Sequence, residues 1–469
     1  MMNSFVDAVA KTPVVARTEN GMKAQKSSMS SVVDLFYNIG ASRGKNITAA
    51  FEKAIQADTD IAMRIAQWSR DVRGGAGERQ LFRDMLVHLE AYHPDLLTSK
   101  FLNNVPNIGR WDDLLIFKTA EVKSRAFDII KTALHNQNGL CAKWQKRKGV
   151  LAAELRNYLG LSPKAYRKLL VGLTNVVETH MCNKEYSVIN YSHVPSLAMS
   201  RYMTVFHKND TQRFVEYRNA LVRGDEGIKV NASAVYPYDI IKALRHRGDK
   251  AVCDKQWDSL PNYMSDANVL PMVDVSGSMS AHVGKNNSIS CIDVALSLGL
   301  YCADKNSGAF KDMFLTFSEK PEILKVQGTL SQKMVQMNSS EWNMNTNLHA
   351  AFDRILHVAT KNSVPQADMP KYLLILSDMQ FDQCAMYDDS AMKMIERKYE
   401  SAGYQVPMIV FWNLRSTDNT PVSYDKRGVC LVSGFSPSIM SAVLEADLEE
   451  FSPESVMKKA VCISKYDWQ

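Results

Sequence analysis

No stretch of this chain approaches the roughly eighteen uninterrupted apolar residues that a membrane-spanning helix needs. The first residues, MMNSFVDAVAKTPVVARTENG, lack the charged-then-apolar layout of a secretory signal. No two cysteines have CxxC spacing. The eight stand singly, at Cys141, Cys182, Cys253, Cys291, Cys302, Cys384, Cys430 and Cys462. A zinc or disulfide framework is thereby disfavoured, and reduced, buried thiols in a cytoplasmic protein are expected. A phosphate loop of the form GxxxxGK(S/T) is missing, and so is HExxH. RGGAGE is glycine-rich, but it lies between two helical patterns and not after a strand, so it fails the context of a dinucleotide fingerprint. Nothing in the chain points to an enzyme.

Charge is present but unevenly divided. Residues 1–265 hold 38 of the 56 Lys and Arg but only 26 of the 50 Asp and Glu, a balance of +12; residues 266–469 balance at −6. Two domains with different partners are expected, the first facing a polyanion. A basic, solvated surface without a partner is the plain alternative.

Residues 1–30 are polar and mixed, and read as a flexible arm. From Ser31 the pattern is helical. TAAFEKAIQADTDIAMRIAQWSRDV has apolar residues at three- and four-residue spacings. RGGAGE breaks the pattern, ERQLFRDMLVHLEAY resumes it, and His93-Pro94 stops it. A turn follows at VPNIGRWDDLLIF and a helix at EVKSRAFDIIKTALHNQ. In LSPKAYRKLLVGL, Ser162 is placed to cap a helix that opens with Pro163. Helices continue to about Lys250. Helices alternating with short polar turns predict stacked antiparallel pairs, a helical solenoid.

The texture changes near Asn268. NVLPMVDVS, KDMFLTFS, PEILKVQ, KYLLILSD, VPMIVFWNL and GVCLVSG read as strands, alternating with helices such as SISCIDVALSLGLYCADKN and NLHAAFDRILHVAT. That alternation predicts an α/β doubly wound sheet whose ligands sit beyond the carboxyl ends of the strands. Two polar loops lie at such ends, DVSGSMS and SDMQFD.

Asp274, Ser276 and Ser278 alternate directly after the first strand, so three hard oxygens share one side. That is too few for calcium, but it suits magnesium, which keeps several waters. Asp378 leaves a later strand, and Thr346 precedes a helix between them. The order Asp-x-Ser-x-Ser, then Thr, then Asp resembles the metal-ion-dependent adhesion site of von Willebrand factor A domains. The resemblance implies that Ser276 and Ser278 bind Mg2+ or another divalent cation directly, and that Asp274, Thr346 and Asp378 bind it directly or through water. Many members of that family have Gly after the second Asp, where this chain has Met379. Asp382 is close by, with no role in the motif. The plain alternative for Asp274 and Ser276 is helix capping.

A second resemblance lies in the basic half. QWSRDVRGGAGERQLF, NIGRWDDLL, AKWQKRKG, LSPKAYRKLL and YSHVPSLAMSRY resemble the module of the Ro ribonucleoprotein (TROVE) superfamily and its phage and plant relatives. There a HEAT-like helical repeat, closed as a ring or open as an arc, precedes a von Willebrand factor A domain. By this resemblance the chain divides into the arm at 1–30, a TROVE-like helical repeat at 31–265 and a von Willebrand factor A-like domain at 266–469. It implies binding of structured or single-stranded non-coding RNA. Lys143, Lys146, Arg147 and Lys148 form a basic run around Trp144, and Lys164, Arg167 and Lys168 share one helix face. Basic side chains hold phosphates and an aromatic ring stacks on a base. The alternatives are a solvated loop and an ordinary exposed helix face.

Arg73 and Arg110 are expected to pair with nearby acids, Asp71, Glu78, Asp112 or Asp113, and Trp68 and Trp111 to pack between repeats. A different function, a metal-dependent protein scaffold whose partner donates an acidic side chain to the ion, is the competing expectation. A nuclease acting through Asp274 and Asp378 is weaker, because one metal without a general base is a poor nuclease.

Overall fold

The computed structural model describes residues 12, 14–246, 248–264, 268–283, 289–317, 321–338, 347–381, 391–416 and 419–469. Where a loose arm was expected, residues from Val14 on form a small hairpin, β1 (Val15–Arg17) with β2 (Lys23–Gln25). α1 (Ser31–Ile39) starts at the Ser30 cap. The long helix expected over TAAFEKAIQADTDIAMRIAQWSRDV is two helices, α2 (Thr48–Ala57) and α3 (Thr59–Arg70). Asp58 makes the break, because its carboxylate accepts the Ile61 N–H at 3.0 Å and caps α3. α4 (Arg79–Tyr92) stops before Pro94 as expected. α5 (Ser99–Ile108) runs through Pro106, where a turn was expected, and Trp111–Ile116 is a short 3-10 helix. α6 (Ala120–His135), α7 (Gly139–Trp144), α8 (Val150–Tyr158) and α9 (Pro163–Leu173) follow. Ser162 caps α9 through the Ala165 N–H. α10 (Val177–Cys182), α11 (Ser196–Asn209), α12 (Thr211–Arg223), α13 (Pro237–Arg245) and α14 (Lys250–Asp258) complete the helical part.

Arg70 and Arg83, which flank RGGAGER, meet the GRWDDL segment in a largely buried ionic knot. Arg70 Nε lies 2.8 Å from Asp113 Oδ2, and both side chains are buried. Arg83 reaches Asp113 at 2.6 Å and Asp112 at 3.0 Å, and Arg110 grips Asp112 at 2.6 Å. Gly109 permits the knot, since a Cβ there would fall 2.7 Å from both Arg70 Nε and Asp113 Oδ2. Arg110 therefore pairs as expected. Arg73 differs: Glu78 binds Arg43 and Asp71 accepts the Tyr466 hydroxyl, while the Arg73 side chain is exposed. Trp68 is buried against Phe36, with ring centroids 4.6 Å apart.

The remaining strands are β3 (Val269–Asp274), β4 (Met313–Phe317), β5 (Ile323–Lys325), β6 (Tyr372–Ser377), β7 (Met408–Asn413) and β8 (Val429–Ser433). They form one sheet in the order β5-β4-β3-β6-β7-β8, parallel except for β5. Every residue of β3 and β6 is buried, which their continuous apolar sequences require. α15 (Cys291–Lys305) packs on β3, and Gly299 lets it approach, since a Cβ would meet Val273 Cγ2 at 2.4 Å. α16 (Leu330–Asn338), which sequence reading did not anticipate, α17 (Leu348–Lys361), α18 (Ala391–Ser401), α19 (Ile439–Leu444) and α20 (Pro453–Val461) complete the α/β part. Among the described residues no helix is long and apolar enough to cross a membrane.

The two parts are interlocked. α1 lies against β8 and α20, so its apolar residues are buried almost all round: Val32, Val33, Leu35, Phe36, Tyr37 and Ile39. The C-terminal end returns to α3, where Gln67 donates to the Tyr466 carbonyl at 2.6 Å and the Trp468 indole donates to Asp60 at 2.9 Å. Trp257 on α14 donates to Asp304 on α15 at 2.9 Å. The backbones of the two parts also approach closely at Gly40 and Gly434. A Cβ on Gly40 would stand 2.6 Å from the Gly434 backbone, so Gly40→Ala is expected to destabilise the protein by about 1–3 kcal/mol through overpacking. Urea denaturation of the two proteins checks this; an unchanged midpoint counts against a rigid seam.

Candidate functional site

The strand order reverses at the β3–β6 pair: the chain goes from β3 to β4 on one side, and from β6 to β7 and β8 on the other. The crevice beyond the carboxyl ends of these two strands is the switch point where open α/β sheets hold ligands. Asp274 is the last residue of β3 and Asp378 the first after β6, and neither side chain is exposed. Ser276 and Ser278 follow Asp274 in the turn, their hydroxyls 3.0 Å apart. Four of the five expected metal ligands therefore lie at this crevice. The fifth, Thr346, lies outside the described residues, as does Asp382.

The bonding of the two acids differs. Asp274 Oδ1 accepts the Ser276 N–H at 2.9 Å, and its Oδ2 accepts the Ser377 hydroxyl at 2.5 Å. Asp378 Oδ1 accepts the Gln380 N–H at 3.4 Å, whereas Oδ2 is buried without a hydrogen-bond partner. The Arg415 guanidinium is 3.6 Å from that oxygen, close enough to attract but not to bond. Burial pushes the Asp274 carboxyl up to about 6; the Ser377 and Ser276 bonds oppose this and the Asp378 charge adds to it. Burial also raises Asp378, opposed by the Ser278 hydroxyl, the Gln380 N–H and the Arg415 charge.

A buried carboxylate oxygen without a donor is costly. Two acids crowded into one crevice, with two hydroxyls and an orphaned oxygen, fit a hard dication that prefers oxygen ligands. The residues present therefore suit the expected ion.

Met379 occupies the position where Gly is common in von Willebrand factor A domains. Its φ is +63°, in the left-handed region, and its side chain is buried. The turn after Asp378 thus needs the conformation that glycine adopts freely, and this chain accepts a strain of about 1–2 kcal/mol while retaining a core side chain. The Met379 N–H donates to Ser377 Oγ at 3.0 Å.

Ser377 and Arg415 were missed by sequence reasoning. The register that places Val273 beside Leu376 brings Asp274 beside Ser377, so only the strand pairing carries that signal. The N-terminal hairpin also reaches this edge. Thr18 donates to the Phe381 carbonyl at 2.6 Å, and the Glu19 N–H to the Gln380 side chain at 2.7 Å.

The expected RNA contacts fall on α7, α9 and the loop between α7 and α8. Lys146, Arg147 and Lys148 are exposed, and so are Lys164, Arg167 and Lys168 on α9. The Tyr166 hydroxyl donates to the Lys146 carbonyl at 2.9 Å, which ties the basic loop to α9. Lys143 is partly buried, with Nζ 3.5 Å from Glu178. Trp144 is partly buried and the Arg110 guanidinium stacks over its ring at 3.8 Å, so one face of the expected platform is already covered.

The molecule is thus a helical array fused to a mainly parallel α/β sheet with an acidic, hydroxyl-lined crevice at its switch point. The chain belongs to the family described as Domain of unknown function (DUF2828), which matches residues 18–116 and 127–270. The family described as Domain of unknown function (DUF7788) matches residues 268–465. The chain is also similar to Uncharacterized protein L728 of Acanthamoeba polyphaga mimivirus, with 29% identity over 508 residues that span 94% of this chain and 86% of that protein.

Proposed function

We propose that this protein is a non-coding-RNA-binding protein of the Ro type. In this reading the basic surface of α7 to α9 holds RNA, and the C-terminal part is a von Willebrand factor A-like domain holding a magnesium ion. The observation that carries the RNA half is the exposure of six cations, Lys146, Arg147 and Lys148 on a loop that the Tyr166–Lys146 bond ties to α9, and Lys164, Arg167 and Lys168 on α9 itself. Phosphates of a single strand are held by such a surface through counterion release. The Arg110–Trp144 stack beside it offers a planar cation and a ring to an unpaired base.

The metal half rests on the orphaned Asp378 oxygen beside Asp274. Asp274, Ser276, Ser278 and Asp378 are the residues to hold the ion. When bound, magnesium supplies a fixed positive charge that accepts a partner's oxygen. Asp274 stays oriented through Ser377 and the Ser276 N–H, and Arg415 offsets part of the Asp378 charge.

Purification of the full chain and sequencing of the RNA that comes with it tests the reading. A defined set of non-coding RNAs, depleted when Lys164, Arg167 and Lys168 are replaced by Ala, supports it. Absence of RNA together with magnesium-dependent capture of one protein favours the scaffold reading in its place.

A further inference from the structure

Two histidines in the helical part, neither of them among the residues assigned to the crevice or the basic surface, meet a carboxylate. Glu52 stands on α2, His88 on α4, and His93 directly after α4. Glu52 Oε2 lies 2.7 Å from His88 Nε2 and 2.9 Å from His93 Nε2. The three ligating atoms all lie within 4.8 Å of one another. The side chains are 29%, 13% and 27% exposed, so they are held by the fold and still open to an ion from solvent.

The supports of this cluster are built in. The His88 ring packs against Tyr92, with centroids 4.9 Å apart, and against Phe51 at 6.1 Å. The His93 backbone is held from both sides: its N–H donates to the Leu89 carbonyl at 2.8 Å, and its carbonyl accepts the Leu96 N–H at 3.0 Å. The Gln56 side chain donates to the other Glu52 oxygen at 2.9 Å. Ligands positioned this way need little reorganisation to take an ion.

We propose that Glu52, His88 and His93 form a binding site for a transition-metal dication, zinc foremost, with its fourth position open to solvent. Two imidazoles and one carboxylate are a borderline donor set that suits zinc and its neighbours and not magnesium, which prefers oxygen alone. The geometry fits with a small adjustment. Zinc bonds of about 2.0–2.2 Å at tetrahedral angles separate neighbouring ligands by about 3.3–3.5 Å. The Glu52 oxygen and the imidazoles therefore have to part by roughly half an ångström, which partly exposed side chains can do. Each imidazole keeps one proton, on Nδ1, and offers the Nε2 lone pair. The plain alternative is a clasp in which both imidazoles donate Nε2–H to one oxygen and simply pin α2 to α4. No helix periodicity marks the site in sequence: His88 and His93 are five apart in HLEAYH, and Glu52 comes from another helix.

The test uses the full chain, stripped with a chelator and dialysed against zinc chloride, with bound metal counted by elemental analysis. Cobalt chloride is the second probe, because tetrahedral cobalt has a strong visible absorption. Wild type is expected to retain a single zinc ion and to colour with cobalt. His88→Ala, His93→Gln and Glu52→Gln are each expected to weaken zinc binding at least ~100-fold while circular dichroism stays that of the folded protein. Asp274→Asn, which alters the magnesium crevice, keeps the zinc. Should His88→Ala fail to fold, His93→Gln, lying after the helix end, carries the same reading. The proposal is overturned if folded wild type takes up no zinc. It is equally overturned if the His88→Ala/His93→Gln double variant retains it, which would place the ion elsewhere, for example on the exposed Cys182 or Cys462.

Discussion

Asp274→Asn removes the magnesium-dependent rise in melting temperature and at the same time makes the metal-free protein more stable near neutral pH. Both effects come from one buried carboxylate. Burial lifts its pKa from 3.8 to about 6, so between those values the folded protein holds a proton that the unfolded chain has lost. The resulting stability is fully present below about pH 3.8 and is lost as pH rises through about 6. Above that, the metal-free fold carries a buried negative charge, and Asn avoids it; a gain of about 1–2 kcal/mol is expected after allowance for altered bonds to Ser276 and Ser377. Magnesium acts in the opposite sense on wild type. At a hundred times its Kd it stabilises by about 2.7 kcal/mol. Because the proton competes with the ion at Asp274, the magnesium effect shrinks as pH is lowered through about 6. Thermal melts of wild type and Asp274→Asn, with and without magnesium across this range, read all three effects. A magnesium shift of equal size in both proteins would remove Asp274 from the site.

Replacing Lys164, Arg167 and Lys168 together by Ala makes RNA binding weaker and less dependent on salt. Each phosphate contact to a single strand contributes a slope of about −0.7 in log K against log salt, so three lost contacts flatten the slope by about 2. At about 0.1 M salt this corresponds to roughly a 100-fold loss of affinity, fading as salt approaches molar. The three side chains are exposed on α9, so the fold is expected to survive. Trp144→Ala behaves differently. It removes an uncharged ring worth about 1–3 kcal/mol in base stacking and leaves the slope unchanged. Arg110 already covers one face of that ring and remains tied to Asp112, so the guanidinium retains part of the stacking surface and the loss falls at the lower end. Fluorescence titrations at several salt concentrations, with circular dichroism as control, measure both variants. If the triple variant keeps the wild-type slope, α9 presents only a solvated face.

Periodicity and apolar runs made much of the architecture legible before any coordinates. β3 and β6 are six-residue stretches buried on both faces, and burial on both faces is what a continuous apolar run encodes. Ser162-Pro163 marked the start of α9, and His93-Pro94 the end of α4, because caps and prolines act within a few residues. Asp274, Ser276 and Ser278 stood out for the same reason: their alternation is local.

What only the tertiary structure decided is contact between distant segments. Asp58 splits one apparent helix because its capping bond outweighs an unbroken apolar periodicity. The docking of residues 14–28 depends on bonds to Gln380, Phe381 and Thr420 that lie hundreds of positions away. Ser377 joins Asp274 through strand register, Tyr166 draws the basic loop onto α9, and Glu52 meets His88 and His93 across two helices. Local sequence determines which backbone conformation and which buried face a segment prefers, since both are set by near neighbours and by water. Which polar side chains share a crevice depends on how those faces pack together, and that packing is a property of the whole chain.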